Sequence, residues 1–363
     1  MRVIVSGGGT GGHIYPALAI AEGLRSRVAA EILYVGTEKG LESKVVPQRG
    51  IAFDTLEISA LDRSSVSKAI KAVAGIPASL NAAGQIIRRF KPDLIVGTGG
   101  YVSFPMLMAG ARAGINTAIH EQNAIPGIAN RVLARRVDLV MLTFPEAGER
   151  INCRRKIHTG LPVRQEILSV NADEAGRRLE IAPPAFVLLV FGGSMGAASI
   201  NRAMLEVLPL VKDEKIHILW VCGKNNYDEL SARLETLNLR DGQYKLQLFP
   251  YIYHMEDVLA VADLAICRAG ASTVSELQVS GLPAIMIPYP HAAENHQFQN
   301  AMALVRQQAA VVVRDEELNA HVLYEQIKRL IKQPEQLRLM SENMKQMARP
   351  DALDSIIELL LTL

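Results

Sequence analysis

From Gly7 to His13 the chain reads Gly-Gly-Gly-Thr-Gly-Gly-His, five glycines with a threonine and a histidine. Glycines in such number let backbone N–H groups approach an anion closely, and a helix N-terminus beyond them adds partial positive charge. The histidine ends the run with a side chain that exchanges protons near neutral pH. Gly7, Gly9 and Gly12 satisfy G-x-G-x-x-G, a pattern of little weight alone. A dinucleotide site also needs an acidic residue ending the second strand, to hold the ribose. Here Ile32–Val35 ends in Gly36-Thr37, with Glu38 further out. The loop therefore reads as a phosphate cradle, in preference to a dinucleotide site or a βα turn that binds nothing.

Two more polar clusters end apolar runs. Gly97-Thr-Gly-Gly-Tyr101 repeats the glycine chemistry with Tyr101 and Ser103 beside it, and His120-Glu121-Gln122-Asn123 supplies an acid, a base and two amides. In open α/β sheets the ligand crevice lies outside the carboxyl ends of the strands. Loops 7–13, 97–103 and 120–123 are thus expected to converge on one mouth.

The elements that must position these loops read as βα units. Strands are expected at Arg2–Ser6, Glu31–Val35, Asp93–Gly97, Thr117–His120 and Leu139–Leu142, mostly short apolar runs as in a covered parallel sheet. The helix after the first loop should bury Ile14, Leu18, Ala21 and Leu24. After Gly160-Leu-Pro-Val-Arg164, a hinge by its glycine and proline, the opening theme returns. Phe186–Phe191 is an apolar strand, Gly192-Gly-Ser-Met-Gly196 a glycine turn and Ala197–Val211 a helix, a degenerate repeat of residues 2–26. Further strands are expected at Ile216–Val221, Leu246–Phe249, Leu264–Cys267 and Ala284–Ile287. The fold class is α/β: two Rossmann-like, doubly wound parallel-sheet domains facing each other across a cleft, at 1–163 and 164–349. The last helix, Ala352–Leu363 within 350–363, is expected to pack back on the first.

Bulk properties agree. A chain of 363 residues, 49% hydrophobic, exceeds one ordinary core. Its net charge of +2 hides an asymmetry: residues 1–163 hold 20 Lys and Arg against 12 Asp and Glu, so the first half is expected to meet something anionic. No secretory signal and no membrane-spanning run is expected. Cys153, Cys222 and Cys267 lack metal spacing and read as reduced thiols. Between Leu61 and Lys91, the apolar Ile70, Val73, Ile76, Leu80, Ile86 and Ile87 are flanked by Arg63, Lys68, Lys71, Arg88, Arg89 and Lys91. Two readings stand: helices covering the sheet, or a patch resting on anionic lipid.

In the second half, Arg268-Ala-Gly-Ala-Ser-Thr-Val-Ser-Glu276 is a strand-to-helix turn with its helix expected to start near Thr273. Glu276 either closes a Thr273-x-x-Glu276 capping box or accepts two hydrogen bonds from a ribose diol. Pro288-Tyr-Pro-His-Ala-Ala-Glu-Asn-His-Gln297 is dense in donors and acceptors.

Taken in order, Gly-Gly-Thr-Gly-Gly-His-Ile-Tyr-Pro, Gly-Gly-Tyr-Val-Ser, His-Glu-Gln-Asn, Gly-Leu-Pro-Val-Arg, Gly-Gly-Ser-Met-Gly-Ala and Arg-Ala-Gly-Ala-Ser-Thr-Val-Ser-Glu resemble the MurG family. These are UDP-N-acetylglucosamine:lipid I N-acetylglucosaminyltransferases of bacterial peptidoglycan synthesis, and the likeness runs from residue 2 to about 300. It implies a GT-B fold and inverting transfer of N-acetylglucosamine to the C4 hydroxyl of lipid-linked MurNAc, giving lipid II. It also implies a role in cell-wall biogenesis, cell shape and division. Family donor contacts fall on Thr10, Gly11, Gly12, Asn123, Arg164, Ser194, Ile252, Ala271, Ser272, Thr273, Val274, Ser275, Glu276 and Gln297. Ser194 and its loop would donate to the diphosphate, Arg164 would neutralise it, the Ile252 backbone would read uracil and Glu276 would hold ribose. Asn123 and Gln297 would reach sugar hydroxyls. Gly8, Gly9, Gly99 and Gly100 would cradle the acceptor diphosphate. His13 or Glu121 is the general base, with Tyr101 positioning the acceptor. Met195 and His296 depart from the family pattern without removing a required group.

No Asp-x-Asp occurs in the chain, so no catalytic metal and no cofactor are expected, only the substrate UDP-GlcNAc. Expected partners are UDP-GlcNAc, the polyprenyl-linked muropeptide lipid I, an anionic membrane surface and other cell-wall synthesis or division proteins, but no nucleic acid. The expected location is the cytoplasmic face of the bacterial inner membrane, held peripherally. Rival readings are a UDP-GlcNAc 2-epimerase, a transferase acting on diacylglycerol, and a membrane scaffold that only retains nucleotide-sugar binding.

Overall fold

The structure is a computed structural model that describes residues 1–57, 75–181, 185–193, 195–237 and 242–363. The chain forms two units, Met1–Pro162 with Asp351–Leu363, and Val163–Pro350. Each boundary lies within one residue of the sequence expectation.

The first unit holds seven parallel strands: β1 Arg2–Gly7, β2 Glu31–Gly36, β3 Ala52–Thr55, β4 Leu94–Gly99, β5 Asn116–Glu121, β6 Leu139–Leu142 and β7 Lys156–His158. Their order is β3-β2-β1-β4-β5-β6-β7. The second holds six: β8 Phe186–Phe191, β9 Ile216–Val221, β10 Lys245–Phe249, β11 Leu264–Cys267, β12 Ala284–Met286 and β13 Ala310–Val312. Their order is β10-β9-β8-β11-β12-β13. The repeat legible in the sequence thus occupies equivalent ground. Both β1 and β8 stand third in their sheets, where the strand order reverses and ligands bind.

Sequence reading missed β3, β7 and β13, and all three are edge strands. An edge has one neighbour and one solvated side, so three or four residues suffice; β3 and β7 have no long apolar run to announce them, whereas β13 lies in the apolar run Ala309–Val313 that the reading passed over. The helix after the second glycine loop is also shorter than expected, Ala198–Val207 rather than 197–211.

Alternation along β1 sends Val3 and Val5 to one face and Ile4 to the other, and both faces are covered. On the first face the helix Gly11–Val28 buries Ile14, Leu18, Ala21 and Leu24. The last helix, Ala352–Leu361, packs in the same layer through Ile356, Ile357 and Leu360, all fully buried. Burying each such side chain stabilises by about 1.5–3 kcal/mol. Asn116 donates to the Leu363 carbonyl at 2.5 Å, and Arg27 pairs with Asp354, so this C-terminal segment is held in the first unit.

On the second face lies the helix Ile76–Phe90, with Ile86, Ile87 and Phe90 buried and Arg89 paired to Asp54. For this part of the basic apolar segment the sheet-covering reading holds. Residues 61–74, with Arg63, Lys68, Ile70, Lys71 and Val73, lie outside the described residues. Among the described residues no helix is long and apolar enough to cross a membrane. Cys222 and Cys267 are buried and Cys153 half-buried, all as free thiols, and burial pushes the Cys267 thiol up to about 12.

Candidate active site

In the first unit the loops following β1, β4 and β5 come together at the carboxyl ends of central strands. The helix Gly11–Val28 begins inside the glycine loop, with Thr10 extended (φ −138°, ψ 155°) and making no side-chain cap. Its first N–H groups have no i−4 acceptor, the arrangement by which helix ends can bind anions. Two close approaches demand glycine. At Gly100 (φ +78°) a Cβ would lie 2.3 Å from the Gly8 carbonyl oxygen, so the two glycine loops touch backbone to backbone. At Gly99 (φ +103°) a Cβ would lie 2.9 Å from both Cε1 and Nδ1 of His13.

His13, half-buried, is bound to both neighbouring loops. Its Nδ1 lies 2.9 Å from the Thr98 carbonyl oxygen and 2.9 Å from Gln122 Oε1. Both partners are acceptors, so Nδ1 carries the proton and Nε2 the lone pair. Among the described residues Nε2 has no partner. Thr98 Oγ1 donates to the His13 carbonyl at 2.8 Å, fixing the backbone as well.

Glu121 is 1% exposed and its carboxylate is fully engaged. Oε1 accepts from the Asn123 N–H at 3.0 Å; Oε2 accepts from the Gly127 N–H at 3.1 Å and from Asn130 Nδ2 at 2.8 Å. It therefore holds the 122–130 loop in shape. Tyr101 is half-buried, and a Cβ on Gly9 would lie 3.5 Å from its Cε1. Gly9, Thr10 and Gly12 are exposed, Gly11, Gly100 and Asn123 half-buried, and Gly8 and Gly99 buried.

Two supports escaped the sequence reading. Glu42 is fully buried behind the first loop, its Oε1 accepting from the Thr37 N–H (3.0 Å) and hydroxyl (2.7 Å). A Cβ on Gly8 would lie 2.5 Å from that oxygen. In sequence Glu42 is only an acidic residue opening a short helix, Glu42–Gln48. Asn130 sits inside the helix Ile128–Leu133 with no pattern to mark it.

In the second unit a cavity of about 500 Å³ is lined by Gly192, Gly193, Gly196, Ser199, Arg268, Gly270, Thr273, Tyr289, His291, Gln297 and Asp315, among others. Its loops follow β8, β11 and β12. Gly193 (φ +90°) and Gly196 (φ +76°) turn the loop, and a Cβ on Gly196 would lie 2.1 Å from the Cys222 carbonyl oxygen. Ser194 lies outside the described residues, and Met195 is 70% exposed. Gln297 Oε1 accepts from the Tyr289 N–H at 2.9 Å, and His296 Nδ1 donates to the Ala293 carbonyl at 2.8 Å. Ile252 is half-buried in the loop after β10.

The helix carrying Glu276 runs Ala271–Ser280 with Gly270 as its N-cap. That corrects the expected start near Thr273: Thr273 is already inside the helix, so Thr273 and Glu276 form no capping box. Arg164 Nε and Nη2 donate instead to Glu276 Oε1 at 3.0 and 2.8 Å. Burial pushes the Glu276 carboxyl up, and Arg164 pulls it back down. Ser272 and Thr273 are half-buried; Ala271, Val274 and Ser275 face the core, so only their backbone can meet a ligand. Arg268, unassigned in the sequence reading, joins three loops. It donates to Asp315 Oδ1 (2.5 Å), Ser199 Oγ (2.8 Å) and the Ile287 and Pro288 carbonyls (3.0 and 3.2 Å). Among the described residues no group of three or more His, Cys, Asp or Glu side chains could hold a metal ion.

Two parallel sheets of matching order, each with a glycine loop at its central strand, are the two Rossmann-like units of a GT-B fold. Residues 3–142 match the glycosyltransferase family 28 N-terminal domain and residues 187–356 the family 28 C-terminal domain. The chain belongs to glycosyltransferase family 28. It is 45% identical, over 99% of its length and 98% of the relative's, to a protein of Moorella thermoacetica. That relative is named UDP-N-acetylglucosamine–N-acetylmuramyl-(pentapeptide) pyrophosphoryl-undecaprenol N-acetylglucosamine transferase. A protein of the same name from Desulforamulus reducens is 44% identical over 99% of this chain and 97% of its own. Among solved structures, Acinetobacter baumannii MurG superposes with a TM-score of 0.84 at 28% identity, covering 100% of this chain and 99% of that one.

Proposed function

We propose that the chain is an inverting transferase that moves N-acetylglucosamine from UDP-GlcNAc to the C4 hydroxyl of MurNAc in lipid I, giving lipid II. The acceptor hydroxyl attacks the anomeric carbon, loses its proton to a base, and UDP departs with the bonding electron pair. The observation that carries the reading is His13: Nδ1–H is committed to two carbonyl-type acceptors, leaving Nε2 as an available base beside a helix N-terminus. Glu121, the other candidate, already accepts three N–H donors and serves as the brace of the loop. Tyr101 positions the acceptor, and Gly8, Gly9, Gly99 and Gly100 cradle its diphosphate.

The donor is held by Thr10, Gly11, Gly12, Asn123, Arg164, Ser194, Ile252, Gln297 and the turn 271–276. Arg164 and Glu276 are preformed partners: the guanidinium turns to the donor diphosphate while Glu276 takes the ribose diol. Helix N-termini and Arg164 then stabilise the leaving diphosphate, and no metal is needed. The protein works peripherally on the cytoplasmic face of the bacterial inner membrane. The positive excess of residues 1–163 and the exposed Arg88 support contact with anionic lipid.

The test is UDP release from UDP-GlcNAc with and without a lipid I analogue, for the parent chain and His13→Ala. Release that requires the analogue supports transfer; release without any acceptor means epimerase chemistry, and release with diacylglycerol means the other transferase. His13→Ala is expected to lose about 100-fold or more in kcat with donor affinity intact. If kcat barely changes, His13 is not the base.

A further inference from the structure

We propose that His120 and Gln122 form a hydrogen-bond relay that fixes the tautomer of His13, which makes both of them positioning residues for the transfer step. The inference rests on the general-base reading of His13 for its consequence, while the relay itself is a matter of geometry.

The chain of bonds starts at the Gly160 carbonyl, which accepts from His120 Nε2–H at 2.8 Å. With its proton there, neutral His120 presents a lone pair on Nδ1, which accepts from Gln122 Nε2 at 3.1 Å. The same amide nitrogen donates to the His120 carbonyl at 2.8 Å. Both N–H bonds of the Gln122 amide are thereby used, and its orientation follows. Its oxygen must be the atom that meets His13 Nδ1 at 2.9 Å, and His13 must donate to it. His120 is 0% and Gln122 1% exposed, so water cannot substitute for any of these partners. Burial also keeps His120 neutral by holding its pKa down to about 4. A doubly protonated or wrongly tautomeric His120 would turn the amide over, set its N–H against His13 Nδ1–H, and favour the His13 tautomer with no free Nε2. Thr98 supplies a second acceptor at 2.9 Å, so the ring N–H is shared between a backbone oxygen and the relay.

A tautomer error is costly in a base, because the atom that should take the proton already bears one. The experiment combines nitrogen-15 NMR of labelled histidines in the full chain with kinetics at saturating donor. Three variants separate the links. Gln122→Met removes both ends of the amide at similar length. His120→Asn keeps an oxygen near the position of Nδ1, and His120→Gln keeps only a donor near Nε2. The parent is expected to show His13 protonated on Nδ1 and bare on Nε2. Gln122→Met and His120→Gln should give mixed His13 tautomers and lower kcat by about 10–100-fold with the donor KM unchanged. His120→Asn should restore the tautomer and most of kcat, which a merely structural role of the imidazole would not do. The two His120 variants give the answer even where Gln122→Met fails to fold. A pure Nδ1–H tautomer and parental kcat in Gln122→Met and His120→Gln would overturn the relay, leaving the Thr98 carbonyl as the sole orienting group. If the tautomers shift as expected but His13→Ala keeps its turnover, the relay stands and the general-base reading falls.

Discussion

The two glycine loops begin alike and end differently. Each follows the third strand of its sheet and leads into a helix, and each holds glycine at positive φ, Gly9 in the first and Gly193 and Gly196 in the second. The loop of the first unit is braced largely by side chains, Glu42 behind Gly8, Thr98 Oγ1 on the His13 carbonyl, Gln122 on the His13 ring and the Tyr34 hydroxyl donating to the Gly7 carbonyl at 2.7 Å, with the Gly100 backbone against Gly8. It finishes on a titratable ring. The loop of the second unit is braced by backbone, with Gly196 against Cys222 and Gly223 against Met195. It opens on a cavity in whose lining Arg268 is paired with Asp315. One architecture can thus serve proton chemistry or anion binding, depending on what stands behind the loop.

The sharpest way to break this comparison is to add a methyl group where backbone approaches each loop, at Gly100 against Gly8 of the first and at Gly196 within the second. Gly100→Ala and Gly196→Ala both combine a left-handed backbone with a Cβ inside 2.4 Å of a carbonyl oxygen, at 2.3 and 2.1 Å. Each should destabilise its own unit by on the order of 4 kcal/mol, read as a fall in one unfolding transition. Gly193→Ala, with φ +90° and nothing within 4 Å of its Cβ, should cost only the backbone strain of about 1–3 kcal/mol. Equal losses in all three would mean that close approach is not what these loops select for.

A smaller effect tests the binding side. Glu276→Gln keeps the shape but loses a charge-assisted partner of Arg164 and, in the proposed donor complex, of the ribose. The donor KM should rise by about tenfold while kcat stays within a factor of about two, as expected for a bond made equally in ground and transition states. A fall in kcat alone would move Glu276 from binding to chemistry.

Acid pH addresses the buried relay. His120 titrates near 4 when folded and near 6.5 when unfolded, so between these values only the unfolded chain binds the proton. Stability is therefore lost as pH falls from about 6.5 to about 4, by up to about 1.4 kcal/mol per pH unit, and not above that window. In His120→Asn this component disappears, and the gap between parent and variant midpoints should narrow as the solution is acidified. Smallest of all is the expected response to a chelator, which is none. Activity that vanished with chelator and returned with one divalent ion would refute the assignment of the leaving diphosphate to helix ends and Arg164.

Much of this was legible in the chain. Apolar runs ending in glycine located β1 and β8 and the repeat that relates them, because a doubly covered strand needs continuous hydrophobicity. The clusters at 7–13, 97–101 and 120–123 marked themselves by composition, and parallel topology alone brings them to one edge. The edge strands β3 and β7 give no such signal, β13 gives only the short run Ala309–Val313, and Ser272, Thr273 and Ser275, all plausible caps, obscure the start of the helix Ala271–Ser280.

By itself, then, the sequence determined the two Rossmann-like units, the boundary near Pro162 and the residue types available for chemistry. Those follow from local periodicity and from glycine's freedom, which neighbours in the chain can express. Tertiary structure decided which nitrogen of His13 holds the proton, that Glu121 is spent on three N–H groups, and that Glu276 faces Arg164 across 112 positions of chain. Each depends on hydrogen-bond partners brought within 3 Å or so by the folded sheets, and no spacing along the chain encodes that distance.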